Sequence, residues 1–479
     1  MKKNFLTAVG IMVAAFLLAT TVAQAADVTM GGEFWTRYEV LERNDFNSDT
    51  DADTYFQSRV RLNATANVND NTSAYIQLQS NRTWGDNYET AATGADPAGE
   101  SGAESVNDQT NRVGVHQAYF TLKNFATLPV DVKVGRQEII MDGHRIYGNT
   151  LWTMGAHSHD AIRIDHKHDN ISLVYAYVQG SEHQRADDAQ DQDDVTSQLA
   201  YMNYAGILGG KLSVLYSYIS DGCGRVVDST CNGQDDDVHT FGFRQAGQLF
   251  GIDYRGEYYM QWGNATATAA GTRTTIGLAE NDYVQGNGFE STADIDRDAY
   301  MFGVRIGKKF NNVVMKPSLT LWYDKLSGTD EQDANGGTYK SFNTVYDTGH
   351  KFYGLQDVFL GVGNNAAGNG TAGFGLQDAA IKAKLSPLPG WTLAADYHWF
   401  YTAKSISGSP NRGVANGGVG NGSDLGNELD LTLVNKYNAN TKIMMGFSNF
   451  NGTQTFRNIK GATNGSSDAN WAYVQFDVQ

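Results

Sequence analysis

Long apolar segments are almost absent from this chain of 479 residues. The one extended hydrophobic run, Phe5–Leu18, stands near the amino terminus and is shorter than the ~20 apolar residues that a transmembrane helix needs. Only 41% of the residues are hydrophobic, and the mean hydropathy is -0.42. These features exclude helical membrane spans after the amino-terminal segment. They also argue against a large apolar core of the kind that a soluble protein buries.

Basic residues, cysteines and internal repeats are scarce as well. The chain has 36 Lys and Arg residues against 53 Asp and Glu residues, so its formal net charge is -17, which disfavours nucleic-acid binding. Its 2 cysteines, Cys223 and Cys231, lie close together. Outside the cytoplasm such a pair predicts a disulfide that clamps its loop, rather than two free thiols. We find no fixed repeat period, which leaves a β-helix or propeller as the weaker alternative fold.

The chain does have strict two-residue alternation, most clearly in Phe374–Tyr401. From Trp391 to Tyr401 every odd position is apolar or aromatic, and polar residues stand at most of the positions between them. Such alternation places the two sets on opposite faces of a β-strand. The segment Ser386–Gly390 contains two prolines and a glycine and predicts a turn. The sequence therefore predicts a β-hairpin with one apolar and one polar face.

Similar segments recur along the whole chain and number about eighteen. They lie at 28–43, 54–68, 72–84, 111–123, 130–139, 159–166, 170–180, 195–206, 210–221, 237–246, 249–263, 296–309, 313–327, 373–386, 391–404, 424–437, 440–451 and 469–478. Tilted strands of ~9–11 residues cross a bilayer, and single-chain bacterial barrels have an even number of them. The predicted fold is all-β: a transmembrane antiparallel up-and-down β-barrel of about 18 strands.

The connections between these segments alternate between short and long. The short ones lie at 69–71, 166–170, 310–312 and 438–439, and the longest lie at 85–110, 264–295 and 328–372. Bacterial barrels join their strands by short periplasmic turns and longer extracellular loops. The amino and carboxyl termini of the chain are therefore both predicted to lie on the periplasmic side.

The amino terminus has the three parts of a secretory signal peptide. Lys2 and Lys3 precede the apolar run, and Ala23-Gln24-Ala25 is a small-x-small cleavage site. We therefore predict a signal peptide at 1–25, cleaved near Ala25, and a barrel at 26–479. A helical membrane anchor is the alternative. Export of an acidic, strand-rich chain predicts the outer membrane of a Gram-negative bacterium.

Charged residues on the predicted strands mostly share the face opposite the apolar residues. A basic residue on the lipid face costs about 2–4 kcal/mol near the membrane midplane, whereas a hydrated lumen accepts it. The predicted pore-lining residues are Arg37, Arg59, Arg61, Arg163, Asp165, Asp253, Arg255, Glu257, Arg305, Lys316, Glu428 and Asp430, with Asp298 and Asp324 assigned to the same face. This face predicts a water-filled channel. Its mixed signs predict a transverse field or ion-pair ladders along the wall.

Two long loops are too apolar to lie in solvent. They are Ile140–His157 and His350–Leu360, which carry several aromatic and aliphatic residues. We expect both to fold into the lumen and constrict it, although packing against neighbouring loops or another subunit is the alternative. The predicted constriction residues are Arg136, Glu138, Asp142, Arg145, Trp152, His350, Lys351 and Asp357.

Motifs in and beside these loops resemble those of the alginate-export family of outer-membrane proteins. The motifs are Gly135-Arg136-Gln137-Glu138, Asp142-Gly143-His144-Arg145 with Gly148, Thr348–Gly354 with Asp357, Leu376-Gln377-Asp378, Asp396–Phe400 and Asn427–Leu431. The resemblance implies an eighteen-stranded barrel with loops folded into an arginine-lined pore that passes an anionic polysaccharide. It equally implies a simple porin, because many members of the family behave as porins. The mixed charge of the inward face favours the porin.

Other chemistry finds little support in the sequence. The two histidine pairs, His157/His159 and His166/His168, stand at opposite ends of one predicted strand and cannot form a single metal site. We predict no metal, cofactor or catalytic residue. The predicted function is a porin for passive, charge-selective diffusion of small hydrophilic, chiefly anionic solutes. The alternatives are an exporter of an anionic polysaccharide such as alginate, and a barrel with a surface-binding or hydrolase role.

The expected partners follow from this location. They are outer-membrane lipid and lipopolysaccharide, the barrel-assembly machinery, and a small-molecule or oligosaccharide solute. Acidic loops containing Asp187-Asp188, Asp193-Asp194 and Asp235-Asp236-Asp237 are candidate sites for divalent cations, although such clusters are usually solvated loops.

Overall fold

The described structure is one closed antiparallel barrel with loops folded into it. The computed structural model describes residues 27–43, 46, 51–84, 113–181, 195–221, 236–266, 294–330, 333, 338–360, 371, 373–406, 422–460 and 467–479. Each long strand pairs with the next in sequence, and β1 closes the barrel by pairing with both β2 and β19, as in Phe34 opposite Val478. The sheet has 19 strands, of which 18 form the wall, so the predicted fold is confirmed.

The strands have the following bounds. They are β1 (Asp27–Glu42), β2 (Asp53–Asn69), β3 (Thr72–Thr83), β4 (Gly114–Leu122), β5 (Val130–Gln137), β6 (His159–His168), β7 (Ile171–Ser181), β8 (Val195–Ile207), β9 (Gly210–Asp221), β10 (Asp236–Leu249), β11 (Ile252–Thr266), β12 (Asp294–Lys309), β13 (Ser318–Leu326), β14 (Thr338–Tyr339), β15 (Leu376–Leu385), β16 (Trp391–Ile406), β17 (Gly422–Lys436), β18 (Thr441–Gly452) and β19 (Asp468–Val478). Strand β14 is a two-residue piece that pairs in parallel with β12 inside a long loop. One α-helix, α1 (Gln454–Lys460), and two 3₁₀ turns, Phe125–Thr127 and Gly349–Lys351, complete the described elements. None of the described helices is long and apolar enough to cross a membrane.

The two ends of the barrel differ in the length of their connections, as the sequence predicts. The short connections lie at 70–71, 123–129, 169–170, 208–209, 250–251, 310–317, 386–390 and 437–440. They share one end of the barrel, which we call the turn rim, with the start of β1 and the end of β19. The strand ends that flank the nine longer connections lie at the other end of the barrel, the loop rim. We number these connections in chain order, so that loop 3 is 138–158 and loop 7 joins β13 to β15.

The alternation of the sequence separates a lipid-facing from a lumen-facing side. Apolar side chains such as Leu62, Ile162 and Ile306 are exposed on the outside, while Arg59 and Glu257 are buried on the inside. The prediction that Asp298 faces inward is wrong. Asp298 is exposed opposite Trp262 on the outer face, because its even position in β12 alternates with the inward Arg297.

The apolar core lies inside the barrel and is formed by loops 3 and 7. Their side chains pack against inward residues of the wall in one continuous cluster. Its members include Ile139, Ile146, Tyr147, Phe342, Phe352, Tyr353 and Phe359 from the loops, and Leu199, Leu215, Met301, Leu326, Phe400 and Phe450 from the wall. The expectation that these loops fold into the lumen is confirmed.

Candidate pore constriction

Loops 3 and 7 are joined to each other by backbone hydrogen bonds. The N–H of Gly148 donates to the carbonyl of Tyr346 at 2.7 Å, and the N–H of Tyr346 donates to Ile146 at 3.0 Å. A third bond, from Thr348 to His144, is also 3.0 Å long. Glycine is required at 148 because a Cβ there would collide with the Thr348 hydroxyl. The two loops therefore cross the lumen as one unit.

Arg145 of loop 3 fastens this unit to the wall. It is fully buried and pairs with Glu257 of β11 at 3.1 Å and with Asp324 of β13 at 2.5 Å. It also donates to the hydroxyl of Tyr353 at 2.7 Å, and its guanidinium lies 3.6 Å from the ring centre of Phe352. Burial alone would lower the pKa of Arg145, but Asp324, Tyr353 and Glu257 raise that pKa well above its usual value. Arg145 is therefore a permanent cation in the lumen.

Three further arginines surround the same carboxylates. Arg244 lies 3.5 Å from Asp142, and Arg305 lies 3.5 Å from Asp324. Arg255 has no ion pair among the described residues, and its guanidinium stands beside Gly143 and 5.3 Å from the ring of Trp322. We call Arg145, Arg244, Arg255 and Arg305 the arginine cluster. Its four guanidiniums outnumber the three carboxylates with which they form ion pairs, Asp142, Glu257 and Asp324.

An aromatic stack fixes the tip of loop 3 on the opposite wall. Trp152 stacks on His350 of loop 7 with ring centres 4.0 Å apart, and the guanidinium of Arg37 covers Trp152 at 4.0 Å. His350 in turn lies 2.9 Å from Asp357. Arg37 and Arg59 both donate to backbone carbonyls of the tip, those of Trp152, Leu151 and Thr153, at 3.0 to 3.1 Å. These two wall arginines thus hold the loop in place.

Glu138 anchors the start of loop 3 in a polar network. It accepts from Asn149 at 2.8 Å and lies 3.0 Å from His116 and 3.9 Å from Arg61. Burial would raise the pKa of Glu138, but the hydrogen bonds from His116 and Asn149, with the charge of Arg61, lower it below its usual value. Gln79 adds a bond to the carbonyl of Gly155 at 2.7 Å.

Loop 7 is fastened to the acidic part of the wall through its backbone. The N–H of Gln356 donates to Glu428 at 2.9 Å, and the N–H of Leu355 donates to Asp430 at 3.3 Å. Gly354 has φ +85°, and a Cβ there would collide with the Glu428 carboxylate. Only glycine lets the chain approach that carboxylate so closely.

A cavity of about 330 Å³ lies between this unit and the loop-rim ends of β1–β3. Its lining includes Arg37, Gln57, Trp152, Gln356, Asp357 and Trp471. The wall side of the cavity is mainly polar. On the side of the loops the cavity reaches Trp152, which stacks on His350.

The model of the alginate export family matches residues 26–470. The chain belongs to the alginate export family. Among solved structures, this family member is similar to OccAB1 of Acinetobacter baumannii, with a TM-score of 0.53, 12% identity, and coverage of 94% of this chain and 96% of that chain. It is also similar to OpdO of Pseudomonas aeruginosa, with a TM-score of 0.52, 11% identity, and coverage of 94% and 96%. At such low identity the likeness shows the fold alone.

No protein with a curated description matches this alginate export family member. Its family and its barrel together support an outer-membrane channel. No group of three or more potential metal ligands occurs among the residues that the structure describes.

Most of the predicted site residues of this family member lie in the lumen, but many are occupied by contacts within the protein. Arg37, Arg59, Arg61, Glu428 and Asp430 are buried and bonded to the inward loops or to neighbouring wall residues. Arg163 and Asp165 pair with each other at 2.6 Å nearer the turn rim, and Asp253 accepts from Gln248. Lys351 is exposed and has no ion pair among the described residues.

Two predicted site residues lie elsewhere. Lys316 is not on the wall, because β12 ends at Lys309 and β13 begins at Ser318; it stands exposed in the turn between them. Arg136 does not belong to a loop. It lies in β5, paired with Asp160 at 3.4 Å, on the outward face that it shares with Val134 and the exposed Ile162. Cys223 and Cys231 fall outside the described residues.

Sequence reasoning missed Arg244, Tyr353 and His398 as part of this site. The signal for Arg244 was present, because it alternates with the outward Phe241 and Phe243 of β10. His398 is fully buried and lies 2.8 Å from Asp378. Tyr353 lies in the motif Thr348–Gly354, but alternation gives no signal for its bond to Arg145, because that bond depends on how loop 7 folds back.

Proposed function

We propose that this protein is a passive porin for small hydrophilic anions, with loops 3 and 7 as its selective constriction. The observation that carries the proposal is the arginine cluster, in which four guanidiniums lie beside three paired carboxylates where loop 3 meets the wall. The loop unit supplies the size limit and the arginine cluster supplies the preference for negative charge.

The size limit rests on how firmly the loop unit is held. Backbone hydrogen bonds join its two loops to each other. Three sets of contacts then hold it to different parts of the barrel wall, and they are made by Arg145, by Arg37 with Arg59, and by Glu428. Its apolar side chains are buried against inward residues of the wall in one continuous cluster. Such a unit leaves a narrow aqueous path and favours small solutes.

The charge preference rests on Arg255 and Lys351, which have no ion pair among the described residues. A guanidinium suits a carboxylate because its planar fork pairs bidentately and remains charged at every relevant pH. Low-dielectric walls focus the field of these charges along the path. Salt screens such a field over a Debye length of ~10 Å at 0.1 M.

The test is a reversal-potential measurement on the protein in a planar bilayer across a KCl gradient. We expect mild anion preference that declines as the salt concentration rises. Arg255→Gln should shift the reversal potential toward cation preference while the single-channel conductance changes little. Arg163→Gln is the matched control, because Arg163 is paired with Asp165. A wild-type channel that prefers cations would overturn the proposal.

Export of an anionic polysaccharide is the second candidate, and the family match favours it. The arginine cluster would also attract a polyuronate, but a polymer would have to pass the bonded loop unit. Adding a uronate oligomer to the turn-rim side separates the two. Brief current blocks with no passage of the oligomer favour the porin, and passage to the other side favours the exporter.

A further inference from the structure

The turn rim exposes large apolar side chains that the described residues leave uncovered. Phe250 is 98% exposed, Val314 84% and Tyr437 70%, and Leu208 and Leu388 are exposed as well. They occupy turns from β8 to β18. The turns at 70–71 and 169–170, in contrast, consist of Asp and Asn residues alone.

Two of these residues are also poorly suited to the backbone that they occupy. Leu208 has φ +49° and Phe250 has φ +53°, each followed by a glycine with positive φ. Two-residue turns of this kind favour Asn, Asp or Gly at the first position, and a bulky residue there is an outlier. The turn between β6 and β7 follows the rule, with Asp169 at φ +48°. Backbone strain and exposure to water thus both disfavour Leu208 and Phe250 in the isolated barrel.

These two turns form one surface. Tyr254 donates to the carbonyl of Leu208 at 2.7 Å, and the N–H of Gln248 donates to Gly209 at 3.2 Å. Beside them the lipid-facing band begins with Leu249 and Ile252, which are exposed on the outer wall. The apolar turns therefore continue the surface that already faces lipid.

Lysines flank the same apolar turns. Lys211, Lys308, Lys316, Lys384 and Lys436 are exposed at or beside them. The nearby Asp253 accepts a hydrogen bond from Gln248, and Asp477 is paired with Lys442. This excess of basic residues contrasts with the net charge of -17 of the whole chain. Basic residues next to apolar and aromatic ones suit the surface of an anionic lipid leaflet.

We propose that the apolar and basic turns of the turn rim dock into an anionic phospholipid leaflet, with Leu208 and Phe250 inserted at the headgroup boundary. This surface goes beyond the channel function and does not depend on it. Lipid that covers these turns removes the cost of exposing their apolar side chains to water. The lysines add attraction for lipids that carry negative charge.

Spin-label depth measurements on the full barrel test the docking. Phe250→Cys and the control Asp169→Cys are labelled in a Cys223→Ser/Cys231→Ser background and placed in bilayers of phosphatidylethanolamine and phosphatidylglycerol. The ratio of oxygen to nickel-chelate accessibility should be several-fold higher at 250 than at 169. Lys308→Gln/Lys316→Gln/Lys384→Gln/Lys436→Gln should reduce that ratio at 250. A label at 250 that is as accessible to the nickel chelate as the label at 169 overturns the proposal.

A second variant separates docking from folding. Leu208→Asn/Phe250→Asn suits the left-handed backbone, so in an uncharged detergent its melting temperature should equal or exceed that of the wild type. In vesicles that contain phosphatidylglycerol, its urea unfolding midpoint should instead fall below that of the wild type. If the variant is at least as stable as the wild type in the vesicles as well as in detergent, the proposed lipid contact is contradicted.

Discussion

The guanidinium of Arg145, in a loop, lies 2.5 Å from the carboxylate of Asp324, in the barrel wall 179 residues later. This pair shares its site with Glu257 and is covered by Phe352 and Tyr353. The loop unit is thus attached to the wall through a buried charge, and its position depends on that charge.

Removing the charge should loosen the constriction. Arg145→Gln leaves Glu257 and Asp324 buried without their main partner, and breaking a buried ion pair in this way costs about 3–5 kcal/mol. We expect a lower melting temperature and a larger, noisier single-channel conductance. Arg163→Gln, which removes a more exposed wall arginine, should change both quantities much less. Unchanged conductance in Arg145→Gln would show that the loop unit keeps its position without this pair.

The tip of loop 3 should limit the conductance. Deleting Asn149–Met154 removes Trp152, its stack on His350 and the carbonyls that Arg37 and Arg59 bind. The conductance should rise and the ion selectivity should weaken, and Trp152→Ala should give a smaller effect in the same direction. A deletion variant with the conductance of the wild type would place the tip outside the path of the ions.

Gly354 should be intolerant of a methyl group. Gly354→Ala forces a left-handed residue and a collision with the Glu428 carboxylate, at a cost of about 1–3 kcal/mol for the strained backbone alone. We expect a lower melting temperature and more open-channel noise. Gly256→Ala in β11 is the matched control, because nothing lies within 4 Å of its added Cβ. Equal behaviour of the two variants would contradict the close contact of loop 7 with β17.

How far the sequence predicts this site can be seen at Arg59. Alternation correctly places Arg59 on the inner face. Together with the lengths of the connections, it also predicts the barrel, its two rims and its polar lumen. It cannot give the bond to Leu151, 92 residues away, because a periodic pattern defines a face and not the loop that covers it. Alternation also depends on the correct strand ends. Lys316 lies outside β13, so its predicted position on the inner face is wrong. The same limit applies to Tyr353, whose partner Arg145 lies in another loop.

Loop 3 should lose stability as the pH falls. Burial lowers the pKa of His157 from 6.5 to about 4, and the nearby His116 adds to this shift. A histidine with a lowered folded-state pKa binds fewer protons than it does in the unfolded chain. Stability is therefore complete above pH ~6.5 and declines as the pH falls toward 4. Melting temperatures between pH 7.5 and 4.5 should decline less in His157→Gln than in the wild type. Parallel curves would show that His157 is not the titrating group; burial lowers the pKa of His144 too.

Some lumen arginines hold loop 3 in place, whereas others are free to contact a solute. Arg59 is bonded to Glu33 at 2.7 Å and to the carbonyls of Leu151 and Thr153. Arg61 is bonded to Gln79 at 2.7 Å and lies 3.9 Å from Glu138. Because these side chains are already paired, Arg59→Gln/Arg61→Gln should act mainly by releasing loop 3.

The expected result for Arg59→Gln/Arg61→Gln is a larger conductance with a reversal potential that moves toward cation preference, since Glu33 loses its arginine and Glu138 keeps only His116 and Asn149 as partners. Arg255→Gln should move the reversal potential in the same direction at nearly constant conductance. Glu33→Gln in the double variant removes one released carboxylate and should restore part of the anion preference without restoring the conductance. If instead the double variant shifts the reversal potential at constant conductance, Arg59 and Arg61 face the solute directly. The anion-attracting zone would then extend from the arginine cluster to β2.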